Sequence, residues 1–127
     1  VHAGDSLGAT LEFKSPSKLW NSHQEIIGGG AFDWNPGDAT DDTDLMIIVL
    51  KSLLSRQEFS LQHCKNRLIN WALLEPKDIG NTTRNSIACL FENRPLDTVS
   101  LTSESNGSLM RCAPLSLMEL PGDKLSN

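Results

Sequence analysis

The run "LMIIVLKSLL", residues 45 to 54, restricts the fold more than any other stretch. Leu45, Ile48, Val49 and Ser52/Leu53 fall at helical spacing, and apolar residues fill most of the positions between them. A helix that is apolar almost all round has no face to give to water, so it must be central. Directly before it stands "TDDTD", residues 40 to 44, after a loop marked by Asn35, Pro36 and Gly37. Thr40 fits an N-cap whose hydroxyl accepts from the N–H of residue 42 or 43. Acids in the first turn interact favourably with the helix dipole, by roughly 0.3–1 kcal/mol each. Asp41 and Asp42 are nevertheless adjacent like charges. Two carboxylates beside a hydroxyl also make a compact set of hard oxygen donors, of the kind that magnesium, manganese and calcium take. These residues alone leave both readings open, an acidic cap and a cation site.

The rest of the chain is patterned in the same period. Ser60 fits an N-cap for a second helix, with Leu61, Cys64, Leu68 and Trp71/Ala72 as its apolar stripe and Pro76 as its stop. "NTTRNSIACLFENR" reads as a third helix with Ile87, Leu90 and Phe91 inward, ended by Pro95. "SNGSLMRCAPLSLMEL" reads as a turn and one or two short helices interrupted at Pro114. Gly4 and Gly8, four apart near the start, would let a helix lie close against another backbone. Pro16 and the triple glycine 28 to 30 mark a long loop. No alternating strand pattern and no repeat occur. The expected fold is all-α, with long Gly/Pro-rich loops.

Composition excludes several function classes. A chain of 127 residues holds one domain with one modest core. No run of about 18 apolar residues exists, so no transmembrane helix is expected, and no secretion signal is visible. A net charge of −5 without any Lys/Arg cluster argues against a nucleic-acid surface. Cys64, Cys89 and Cys112 follow no disulfide or zinc spacing, and are expected to be reduced, mostly buried thiols of a cytoplasmic protein.

Three further polar islands stand out. Asp5 and Glu12 lie in "GDSLGATLEF", and Asp78 opens "DIGNTTR". Ser105, Asn106, Gly107 and Ser108 precede Leu109, where successive N–H groups beside a permissive glycine can hold a phosphate. Singly, each island is also an ordinary solvated face or capped turn. In order along the chain, however, "GDSLGATLEF", "GGGAFDWNPGDATDDT", "DIGNTTR" and "NGSLMRCAPL" closely resemble the ADP-ribosylglycohydrolase family, over nearly the whole length.

That resemblance implies a compact orthogonal helical bundle and hydrolysis of the glycosidic bond between ADP-ribose and a modified protein side chain or related conjugate. It implies two divalent ions, Mg2+ or Mn2+, in a central cleft, with Thr40, Asp41 and Asp42 as ligands. Glu12 would be an acid/base or substrate-contacting carboxylate, acting with Asp41 and Asp42, and Asp78 a substrate-pocket acid. Asp5 would contact substrate or support the site. Ser105, Asn106, Gly107 and Ser108 would cradle the diphosphate and ribose, braced by Arg111.

Two departures qualify the match. Ser105 replaces the glycine usual before the Asn-Gly pair, and after Arg111 only Glu119 and Asp123 remain as acids, without the family's later Asp-x-Asp ligand group. Residues 1–127 are therefore expected to be the N-terminal portion of one incomplete domain, with a second polypeptide as one way to complete it. The alternative function is an inactive relative that binds ADP-ribose or nucleotides without hydrolysis.

Overall fold

A computed structural model describes residues 1–15, 25–55, 60–94 and 106–117. The elements are α1 (His2–Ala9), α2 (Asp41–Leu54), α3 (Leu61–Ala72), α4 (Asn81–Phe91) and α5 (Gly107–Met110), followed by a 3-10 helix (Ala113–Leu117). Among the described residues the one strand-like pairing is an isolated antiparallel bridge between Gly29 and Trp34. The chain is all-α, as its periodicity indicates. No helix among the described residues is long and apolar enough to cross a membrane.

The apolar run forms α2 and sits at the centre, touching α1, α3, α5 and the 3-10 helix. Leu45, Ile48, Val49, Ser52 and Leu53 are all buried. Leu45 and Ile48 join Trp71 and Ile87 in the core, with Cys64, Leu68, Ala72, Ile79 and Met110 packed around them. Ser52 is tolerated there because its hydroxyl donates to the Ile48 carbonyl one turn back at 2.8 Å, leaving no buried donor unmet. The indole N–H of Trp71 donates to Asp44 at 2.8 Å, which fixes α3 against the first turn of α2.

Local signals set the helix ends. Ser60 caps α3, its hydroxyl accepting from the His63 N–H. The helix stops at Ala72, and the chain turns through Glu75 at φ 54 before Pro76. Several inward assignments differ from the sequence pattern. In α4 the buried residues are Thr83, Ile87 and Cys89, whereas Phe91 is 48% exposed, because Cys89 and not Phe91 takes the inward place in the last turn. Leu61 is likewise exposed, in the first turn of α3. Of the cysteines only Cys89 is buried; Cys64 is half-buried and Cys112 exposed. Pro114 does not interrupt the last helical stretch. The break falls at Arg111 and Cys112, and Pro114 enters the first turn of the 3-10 helix, where its missing N–H leaves no bond unmade. The Pro95 stop lies outside the described residues.

Among the described residues, nothing outside α1 stands within 4 Å of where a Cβ on Gly4 or Gly8 would be, so no close backbone packing at these glycines is seen there. The close approaches are in the triple glycine. A Cβ on Gly28 (φ +71) would stand 2.4 Å from the Trp34 carbonyl oxygen, and one on Gly30 (φ +78) would stand 2.9 Å from that of Ala9. Thr10 donates its hydroxyl to the Gly28 carbonyl at 3.0 Å, so this loop is clamped on the C-terminal end of α1. Gly28→Ala is expected to cost about 2–4 kcal/mol, combining backbone clash and left-handed strain. Gly29→Ala, with positive φ but open space, is expected to cost only about 1–2 kcal/mol. Urea denaturation of both variants checks the difference.

Candidate functional site

The site begins with how α2 is capped. Thr40 is in extended conformation, and its hydroxyl accepts from the Asp42 N–H at 3.3 Å. Four further donors at this helix mouth go to Asp5, on the first turn of α1. Asp5 Oδ2 accepts from the Thr40 N–H (3.0 Å), the Thr43 N–H (3.2 Å) and the Thr43 hydroxyl (2.6 Å). Its Oδ1 accepts from the Thr40 hydroxyl at 2.8 Å. Thr40 and Thr43 are both buried, so one carboxylate satisfies four donors that water does not reach. Asp5 is thus a brace beneath the site, although it also lines the cavity above.

A second set of bonds ties α1 to the loop before α2. The Ser6 hydroxyl donates to the Asp38 carbonyl, and His2 Nε2 pairs with the Gly37 carbonyl at 3.0 Å. The Asp38 carboxylate accepts from the Asn35 N–H and side-chain amide, and the first of these does most to hold its pKa below the usual range.

Held in this way, Thr40, Asp41 and Asp42 face the end of α1 across a cavity of about 350 Å3, lined also by Asp5, Gly8, Ala9, Leu11 and Glu12. Four carboxyls here are harder to ionise than usual. Glu12 is pushed up to about 7, by burial first and then by the charges of Asp78, Asp41, Asp42 and Asp5. Burial also raises Asp41, with Asp78 and Asp5 adding to it; the Gly80 N–H, 3.4 Å from Asp41 Oδ2, and the charge of Arg111 oppose the shift. Asp42 is raised by burial and then by Asp41 and Asp5, and Asp78 by burial and then chiefly by Asp42. Acids on α1, α2 and the loop before α4 therefore act on one another at this place.

This donor set fits a hard divalent cation in part. Asp41, Asp42 and Thr40 offer oxygens, and the mutual repulsion is what a cation would relieve. Among the described residues, however, no three His, Cys, Asp or Glu side chains converge closely enough to hold an ion by themselves. The residues offer one side of a coordination shell.

The phosphate-loop residues stand apart from the cavity lining. Ser105 lies outside the described residues. Asn106 precedes the single turn of α5 and makes no side-chain cap, Gly107 is half-buried, and Ser108 is exposed. Arg111 Nε donates to the Gly107 carbonyl at 2.8 Å, a brace across that turn, and its charge also bears on Asp41. Sequence patterning did not single out Thr43. Its one local signal is its place three residues after the N-cap, where a capping box would carry Glu or Gln.

The sequence profile of ADP-ribosylglycohydrolases matches residues 1–125. The chain belongs to the ADP-ribosylglycohydrolase family. It is 31% identical over 121 residues to the ADP-ribosyl-[dinitrogen reductase] glycohydrolase of Rhodospirillum rubrum, covering 92% of this chain and 41% of that protein. It is also 31% identical over 128 residues to the ADP-ribosylarginine hydrolase Tri1 of Serratia proteamaculans, covering 90% of this chain and 33% of the relative. The Pseudomonas putida protein of the same name is 29% identical over 123 residues, with 90% and 33% covered. The chain therefore spans between a third and about two fifths of the length of these glycohydrolases.

Proposed function

We propose that this chain carries one side of the active cleft of a metal-dependent hydrolase that splits the bond between ADP-ribose and a modified protein side chain. The observation that supports this best is the crowding of Glu12, Asp41 and Asp42 at one cavity, with raised pKa values and with the charge of Asp78 acting on Glu12 and Asp41, in a chain of this family. Thr40, Asp41 and Asp42 would hold Mg2+ or Mn2+, and further ligands would come from waters or another segment. Bound there, the ions would orient the ribose hydroxyls and make a water more acidic. Two relatives are named for ADP-ribosylarginine, and arginine is the acceptor we assign.

The chain's own residues account for the proton traffic. Hydrolysis breaks the bond between the ribose anomeric carbon and the guanidine nitrogen, and water oxygen takes that place on the carbon. Glu12, with a pKa of about 7, populates both protonation states near neutrality, which suits a group that accepts the water proton and passes one to the leaving guanidine. Asp5 fixes the Asp41–Asp42 pair through α2, and Asp78 and Asn106 to Ser108 would hold the ADP-ribose.

Magnesium-dependent release of ADP-ribose from a modified arginine peptide tests this. Glu12→Gln is expected to lower turnover by about 10²–10⁴-fold, and full turnover by this variant with metal bound would remove Glu12 from proton transfer. The lack of a third converging carboxylate among the described residues favours a second reading, a relative that binds ADP-ribose without cleaving it. Binding with no release in magnesium or manganese would select that one.

A further inference from the structure

Phe13 follows Glu12 directly and stands in the left-handed region, at φ 62. That conformation costs a bulky residue about 1–2 kcal/mol. Burial does not offset it, since Phe13 is 75% exposed. What the ring does meet is the end of an aromatic series. Phe13 contacts Phe32 edge-on, with centroids 6.0 Å apart and planes at 70°. Phe32 contacts Trp34 at 5.9 Å, and Lys77 Nζ stands 5.2 Å from the Trp34 ring centre. The series runs from the residue beside Glu12 to the residue beside Asp78. Its inner end already carries a cation, Lys77, which also donates to the Asp33 carbonyl at 3.2 Å. Its outer end, Phe13, is open.

We propose that Phe13 is a specificity-determining residue whose exposed ring receives the guanidinium of the acceptor arginine beside Glu12, an assignment that rests on the glycohydrolase function above. A guanidinium is planar and weakly hydrated, and stacks on aromatic faces. A neutral hydroxyl acceptor offers neither the charge nor the plane and gains little there. Phe32, which touches the Phe13 ring, and the buried Trp34 behind it act as positioning residues. The ADP-ribose itself makes no use of this ring.

The test uses Phe13→Gly and Phe13→Tyr in the full-length polypeptide. Glycine removes the ring and the strain together, so the thermal midpoint is expected to hold or rise. KM for an ADP-ribosyl-arginine peptide is expected to increase about three- to tenfold, with inhibition by free ADP-ribose unchanged and Phe13→Tyr close to the parent. An unchanged KM in Phe13→Gly, an equal loss of free ADP-ribose, or a clear fall in the midpoint would overturn the assignment while leaving the glycohydrolase function standing. A parent protein that neither binds ADP-ribose nor releases it from the peptide would overturn both.

Discussion

Asp5→Asn is expected to lower the unfolding free energy by about 3–5 kcal/mol, the largest single loss at the site. The variant keeps the shape of the side chain but turns one of its two oxygens into a donor. That amide would then face the N–H and hydroxyl groups of Thr40 or Thr43, which now all donate to Asp5. A hydrogen bond to a charged group contributes about 1.5–3 kcal/mol, and a buried donor left unmet costs about 1–3 kcal/mol. The four bonds share one carboxylate and do not add independently, which sets the total below their sum. Asp44→Asn serves as control. It removes a first-turn charge of the same helix but keeps an amide oxygen for the Trp71 indole, and is expected to cost under about 1 kcal/mol. Urea denaturation of the two variants gives both values. A loss below about 1 kcal/mol for Asp5→Asn would mean that Asp5 does not hold the mouth of α2.

The second large effect is on how stability depends on pH. The carboxyls of Glu12, Asp41, Asp42 and Asp78 all have raised pKa values in the folded chain. The folded state therefore binds protons more tightly than the unfolded state, and each of these groups works against folding as it ionises. Without divalent ions, stability is expected to fall as pH rises from about 4.5, the ordinary value for Glu12, to about 7, its raised value. Magnesium or manganese is expected to restore the thermal midpoint near pH 7.5 and to do less near pH 4.5, where Glu12 is protonated and the raised aspartates are less ionised than they would be in the unfolded chain. The double variant Asp41→Asn/Asp42→Asn should flatten the pH slope, lose the ion response, and exceed the parent in stability at neutral pH without metal. That sign decides what the acids are for. Were they an ordinary helix cap, the same variant would lose roughly 0.3–1 kcal/mol per charge removed. A less stable double variant with no response of the parent to either ion would remove the metal assignment.

The sequence by itself determined the helices, because their causes are local. Period, caps and stops act over a few residues, and Leu45, Ile48, Val49, Ser52 and Leu53 are buried as their spacing demands. The Thr40 and Ser60 caps form where their side chains stand in sequence. The four ordered motifs likewise specified the family, since the profile match spans residues 1–125. Which carboxylates share a cavity was decided by tertiary structure. Asp5 reaches Thr40 and Thr43 across more than thirty residues of chain, so no local rule tells a brace from a ligand among the acids. The shift of Glu12 arises from burial and from charges on other elements, and the aromatic series beside it exists only once the glycine loop closes on α1. Periodicity also overstated the core at Phe91 and Leu61. An apolar residue at the right spacing is buried only where another element lies opposite it, and packing between distant segments sets that.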